Sequence, residues 1–207
     1  MEDDPVRIAW ILGWAVPEAW FAPLARAEFP QAEHRFFAAS PTWLAQVCAE
    51  GPWDVIAGYS LGTLLMLKEA GAVGRLAPQV VLFAPIFAFS QEQALGGRVP
   101  LVQVKYLARS LKTDRAAVLA DFYTQAGLTG CAADDETPAG LLQWGLERLS
   151  GDRVEPVLPV GWSAFAGAQD ALLDAAELKR LEPRIVIIGG ATHHPVAIMR
   201  AWRETGV

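Results

Sequence analysis

The chain has 207 residues, of which 53% are hydrophobic, so it is long enough for one domain with a sizeable core and too short for several. Its formal net charge of −6 excludes a general nucleic-acid binder, although an acidic protein can still carry a local basic face. Cys48 and Cys131 lie far apart without histidines at ligand spacing, which indicates neither a zinc site nor a disulfide framework. The acidic start Met1-Glu2-Asp3-Asp4-Pro5 and the absence of an apolar run of roughly 18 residues lead to the expectation of a soluble, cytoplasmic chain.

Taken in chain order, Val6 to Leu12 is a short apolar run closed by Gly13, which suits a strand buried on both faces. Glu18 to Phe29 has helical spacing and stops at Pro30, and His34 to Ala38 reads as a brief edge strand. Pro41 to Glu50 predicts a helix with Ser40 as N-cap. Asp54 to Ala57 is a strand running into Gly58-Tyr59-Ser60-Leu61-Gly62, and a helical pattern follows to about Ala70. Gln79 to Ala84 is a further buried strand ended by Pro85.

From about Phe89 to Leu158 the β-branched runs disappear, and Val99 to Ser110, Asp114 to Ala126 and Pro138 to Leu149 predict three helices, with Thr113 or Asp114 and Thr137 as caps. An acidic connector, Asp134-Asp135-Glu136, lies among them. Strand, helix and strand then resume at Gly161 to Ala166, Asp174 to Leu181 and Arg184 to Ile188. The expected architecture is α/β, with a mostly parallel sheet of about six strands flanked by helices. Residues 1–88 and 159–207 form its core, and residues 89–158 a helical cap insertion.

Gly-x-Ser-x-Gly between a strand and a helix reads as a nucleophile elbow. The serine sits in a strained turn, and a side chain at Gly58 or Gly62 would collide with the neighbouring strand and helix. A nucleophilic serine needs a base, and the base needs a carboxylate to fix its tautomer. Of the three histidines, His34 precedes the nucleophile and reads as structural or exposed, whereas His193 and His194 follow the last strand, in the chain order Ser, Asp, His. Asp170 follows the penultimate strand after Gly167-Ala168-Gln169 and is the candidate acid. Asp174 is the alternative, with an equal claim as a helix-dipole partner. Either adjacent histidine could reach Ser60.

Gly13-Trp14, the elbow, Gly167-Ala168-Gln169-Asp170 and His193-His194-Pro195 together resemble the α/β-hydrolase superfamily. Within it the chain resembles the pimeloyl-[acyl-carrier protein] methyl ester esterases of biotin synthesis, to which Leu119-Ala120-Asp121-Phe122 and Leu146-Glu147-Arg148-Leu149 are also similar. The resemblance implies a compact α/β-hydrolase fold and a serine esterase that needs no cofactor or metal. It also implies His193 as the base by alignment on Pro195, the backbone amides of Trp14 and Leu61 as the oxyanion hole, and Trp14 and Phe122 as substrate-binding residues. The chain departs from the family at Leu12, where histidine is usual, at Thr63, where glycine often follows the elbow, and at His194, where a small residue is usual.

Finally, Arg98, Lys105, Arg109, Lys112 and Arg115 are opposed in their stretch only by Asp114, and Lys105, Arg109 and Lys112 recur at helical spacing. A basic face in an acidic protein favours an acidic partner. The resemblance makes that partner an acyl-carrier protein docked at Lys105, Arg109, Lys112 and Arg115, on an otherwise monomeric enzyme.

Overall fold

The computed structural model describes residues 4–132 and 137–205. Six strands form one parallel sheet: β1 (Arg7–Ile11), β2 (Glu33–Phe37), β3 (Val55–Tyr59), β4 (Gln79–Phe83), β5 (Trp162–Gly167) and β6 (Val186–Ile188), in the order β2-β1-β3-β4-β5-β6. Parallel neighbours need crossovers, and helices supply them: α1 (Glu18–Glu28), α2 (Trp43–Glu50), α3 (Leu61–Lys68) with the short α4 (Ala70–Val73), and α8 (Ala175–Leu181). Between β4 and β5 lie a 3-10 turn at Gln91–Gln93 and three helices, α5 (Leu101–Ser110), α6 (Arg115–Ala126) and α7 (Ala139–Gly151). All six predicted strands are present, each within two residues of its expected limits.

The central strands β3 and β4 are almost wholly buried, which is why their sequences run apolar without alternation. Trp10 sits at the centre of one layer, its ring against Phe21, Phe29 and Phe83. A buried indole N–H requires an acceptor, and Nδ1 of His34 takes it at 2.9 Å while Nε2 of His34 donates to the Phe29 carbonyl. His34 is therefore structural, as its place before the nucleophile implies.

Three local expectations are corrected. Thr42, not Ser40, occupies the N-cap of α2, and among the described residues neither α2 nor α7 has a side-chain cap; Pro138 rather than Thr137 precedes α7. Backbone 3-10 bonds such as Trp43 N–H to the Ser40 carbonyl replace the hydroxyl at the first of these. The third is a helix not foreseen, α9 (Pro195–Arg203), which buries Pro195, Ile198, Met199 and Trp202. Two arginines of α9 hold it on α1: Arg200 and Arg203 reach the buried carboxylate of Glu28 at 2.9 and 2.8 Å. The acidic connector expected at Asp134, Asp135 and Glu136 lies outside the described residues. Among the described residues no helix is long and apolar enough to cross a membrane.

Candidate active site

The strand order reverses between β1 and β3, so the turns leaving these two strands open a crevice at the carboxyl edge of the sheet. Ser60 stands there, between β3 and α3, with φ 52° and ψ −118°. A non-glycine residue at positive φ carries strain of about 1–3 kcal/mol and persists only when its surroundings hold it. Space is part of what holds it: a Cβ at Gly58 would lie 2.5 Å from the Met66 sulfur, and one at Gly62 would run into the Ile11 carbonyl. Gly13 backs directly onto the nucleophile, since a Cβ there would come within 3.1 Å of Ser60 Cβ.

The other groups arrive on loops after β5 and β6. Those loops can approach because Gly167 has no side chain; a Cβ there would meet the carbonyls of Ala191 and Thr192. Gln169 N–H then donates to the Ala191 carbonyl at 2.8 Å. The result is one hydrogen-bonded line. Ser60 Oγ lies 3.0 Å from His193 Nε2, and His193 Nδ1 lies 2.7 Å from Asp170 Oδ2. The second carboxylate oxygen of Asp170 accepts from the amides of Leu172 and Leu173, which fixes the carboxylate plane. With the carboxylate as acceptor, Nδ1 carries the proton and Nε2 is free to receive one from Ser60. All three side chains are nearly covered, at 6% exposure for Ser60 and 1% for both Asp170 and His193.

The competing assignments separate clearly. His194 is the N-cap of α9, its Nδ1 accepting from Val196 N–H, with its ring edge-on to Trp20. Asp174 caps α8 through Glu177 N–H and pairs with Arg98, contacts that hold its carboxyl below the usual range, the Glu177 hydrogen bond being the largest cause. The structure thus brings His193 and Asp170 to Ser60, and places His194 and Asp174 at helix starts.

Trp14 follows β1 and is buried, its indole donating to the Leu142 carbonyl of α7 and its ring meeting Phe122 edge-on at 4.6 Å. Among the described residues no backbone carbonyl accepts from the amides of Trp14 or Leu61. Leu61 begins α3, where the helix dipole favours negative charge. Tyr123 of α6 donates to the Ala15 carbonyl at 2.6 Å, so α6 and α7 both close onto this turn.

Of the basic residues, Lys105 and Arg109 are exposed on α5, which ends at Ser110, and Lys112 is exposed on the turn that follows. Arg115 is half-buried at the start of α6. Lys105 and Arg109 border a groove of about 290 Å³ between α5 and α7, across from Glu147 and Ser150. Beside them α5 exposes Val102 (69%) and Tyr106 (66%).

Sequence reasoning missed the supports around the relay. Tyr59 donates its hydroxyl to the His193 carbonyl at 2.8 Å, and burial, with the Asp170 charge nearby, pushes its phenol well above the usual range. Arg98 donates to the Asp170 carbonyl. Nothing in the local sequence signals contacts across such separations. The helix α9 did carry a signal, with proline at its first position and apolar residues at 195, 198, 199 and 202.

No protein-family model matches the chain, and no curated protein matches it in sequence. Solved structures match it in fold. An esterase from Exiguobacterium antarcticum is similar over 98% of this chain and 89% of its own, with 13% identity and a TM-score of 0.69. A thermophilic esterase from Thermogutta terrifontis is similar over 97% and 89%, at 13% identity and a TM-score of 0.66. An enol-lactonase from Burkholderia xenovorans LB400 covers 97% and 88%, at 13% identity and a TM-score of 0.65. The chain has the α/β-hydrolase fold.

Proposed function

We propose that the protein is a serine esterase whose nucleophile is Ser60, whose base is His193 and whose orienting acid is Asp170. The observation that carries this reading is the continuous Ser60–His193–Asp170 line at 3.0 and 2.7 Å on a strained elbow. Ser60 Oγ attacks the ester carbonyl as its proton passes to His193 Nε2, and the Asp170 carboxylate steadies the imidazolium. The amides of Trp14 and Leu61 receive the oxyanion. His193 returns the proton to the departing alkoxide, leaving an acyl-enzyme. Water, deprotonated by the same nitrogen, then releases the acid and restores Ser60. The helices within residues 89–158 act in this reading as a cap over the site.

The substrate we propose is the methyl ester of a pimeloyl group on acyl-carrier protein, so that methanol leaves and a distal carboxylate is freed. Supporting it are the sequence resemblance and the α5 surface, where exposed Val102 and Tyr106 stand beside Lys105 and Arg109. An acidic helical carrier matches that combination of apolar and basic groups. A second reading, a small soluble ester or thioester, is favoured by the near-complete cover of Ser60, which leaves little room in this form. Turnover of a carrier-linked methyl ester compared with a free short-chain ester decides between them. Lys105→Glu with Arg109→Glu should slow the carrier-linked reaction several-fold, less so at high salt, and spare the free ester. Equal rates on the carrier-linked substrate before and after charge reversal would remove the carrier from the proposal.

A further inference from the structure

Thr63, two residues into α3 from Leu61, is fully buried and makes three hydrogen bonds around the nucleophile. Its hydroxyl donates to the Ser60 carbonyl at 2.7 Å, its amide donates to the same oxygen at 2.9 Å, and its Oγ1 accepts from Ile86 N–H at 2.9 Å. The Ile86 amide occupies a lone pair of Oγ1, which directs the hydroxyl hydrogen towards Ser60. The Ser60 carbonyl is therefore gripped by two donors, one of them tied to the segment leaving β4.

A peptide group is planar and trans, so the Ser60 carbonyl and the Leu61 N–H lie in one plane and point in opposite directions. Fixing the carbonyl fixes the aim of the amide. We propose that Thr63 is a positioning residue for the oxyanion hole: by holding the Ser60 carbonyl against Ile86, its hydroxyl points the Leu61 N–H into the crevice where the substrate oxygen becomes negative. The device suits this elbow because Ser60 has positive φ, where an unsupported peptide plane would relax by rotating. Pre-aimed donors act without reorganisation at the moment of reaction, and losing one oxyanion donor outright typically costs a factor of about 10²–10³ in kcat. A donor that is present but misdirected costs less, about tenfold.

This inference rests on the esterase reading, and the test separates the two. Hydrolysis of p-nitrophenyl acetate is measured for wild type, Thr63→Val, Thr63→Ala and Thr63→Ser, with the inhibition constant of an alkyl trifluoromethyl ketone. Addition of Ser60 Oγ to its carbonyl, with the serine proton passing to His193, makes a bound oxyanion. Thr63→Val keeps the shape but not the hydroxyl. The expected result is a kcat about tenfold lower at unchanged KM, a ketone inhibition constant raised in proportion, and an unchanged pH midpoint of kcat/KM, because the His193–Asp170 pair is untouched. Thr63→Ser should restore both quantities to within about twofold. Thr63→Ala gives the same readout should the valine variant not fold.

An active wild type whose Thr63→Val and Thr63→Ala variants keep their kcat and ketone affinity overturns this inference alone. So does a loss of kcat with ketone affinity intact, or a Thr63→Ser enzyme as impaired as Thr63→Val. A wild-type protein that neither turns over the ester nor takes a fluorophosphonate at Ser60 overturns the esterase reading and this inference with it.

Discussion

The indole of Trp14 donates to the main-chain carbonyl of Leu142 at 2.8 Å, which ties the turn beside the nucleophile to helix α7. With Tyr123 on Ala15 and Trp20 on the Thr129 carbonyl, three hydrogen bonds join the β1–α1 segment to the insertion. Trp14→Phe keeps an aromatic ring and removes one of them. A hydrogen bond of this kind contributes about 1 kcal/mol, so the melting temperature should fall by about 2–4 °C. Fluorophosphonate labelling of Ser60 should become several-fold faster as cover over the serine loosens. Labelling at the wild-type rate would show that this contact does not govern access.

Asp170→Asn preserves shape and removes the carboxylate facing His193 Nδ1. The amide can leave the imidazole in the wrong tautomer, and kcat on a small ester should drop by a factor on the order of 10⁴. Asp174→Asn should leave kcat within about twofold, since Asp174 serves α8 and Arg98. The reverse pattern in steady-state kinetics would transfer the acid role to Asp174.

His193→Ala and Ser60→Ala should each abolish ester hydrolysis to a similar extent, and the double variant should be little worse than either, because the two act as a unit. His194→Ala should retain activity while losing the cap on α9, at a cost of about 0.5–2 kcal/mol by denaturant unfolding. Substantial turnover by His193→Ala would contradict the assignment of the base.

Two groups away from the site contribute to the acid response. Hydrogen bonds from Arg184 bring Glu182 down to about 2, with the amides of Leu158 and Arg184 assisting. A carboxylate depressed in the folded state contributes stability that is fully present above its unfolded value near 4.5 and is lost as pH falls from there towards 2. His34, lowered mainly by burial, is neutral in the fold and accepts from Trp10, so stability also declines as pH falls through and below its ordinary value of 6.5. Melting curves from pH 8 to pH 2 should show both losses. Glu182→Gln should reduce the lower one and leave the upper, and an unaltered profile below pH 4.5 would deny Glu182 that role.

What was legible in the sequence was whatever rests on local pattern. Apolar runs marked every strand except the mixed edge strand β2, and Gly58 and Gly62 marked an elbow whose crowding is visible in the contacts a side chain there would make. Chain order narrowed the base to two adjacent histidines, and it took three-dimensional geometry to see that one turns inward to Ser60 and its neighbour outward to cap a helix. The roles of Thr63, Tyr59 and Arg98 were not legible, because each depends on a partner fixed by tertiary packing or by the rotation of one peptide plane.

The hydrogen bond between Ser60 and His193 spans 133 residues of sequence. It exists only when β3, β5 and β6 have taken their places in the sheet, which brings the turn after β3 and the loop after β6 to one edge. Contacts so distant bear a large closure entropy and form slowly, whereas helices such as α6 are closed by neighbours. During refolding, reactivity of Ser60 towards a fluorophosphonate thus reports a different event from the return of helical circular dichroism. The nucleophile is made early in the chain, but its chemistry waits on the loop that follows β6.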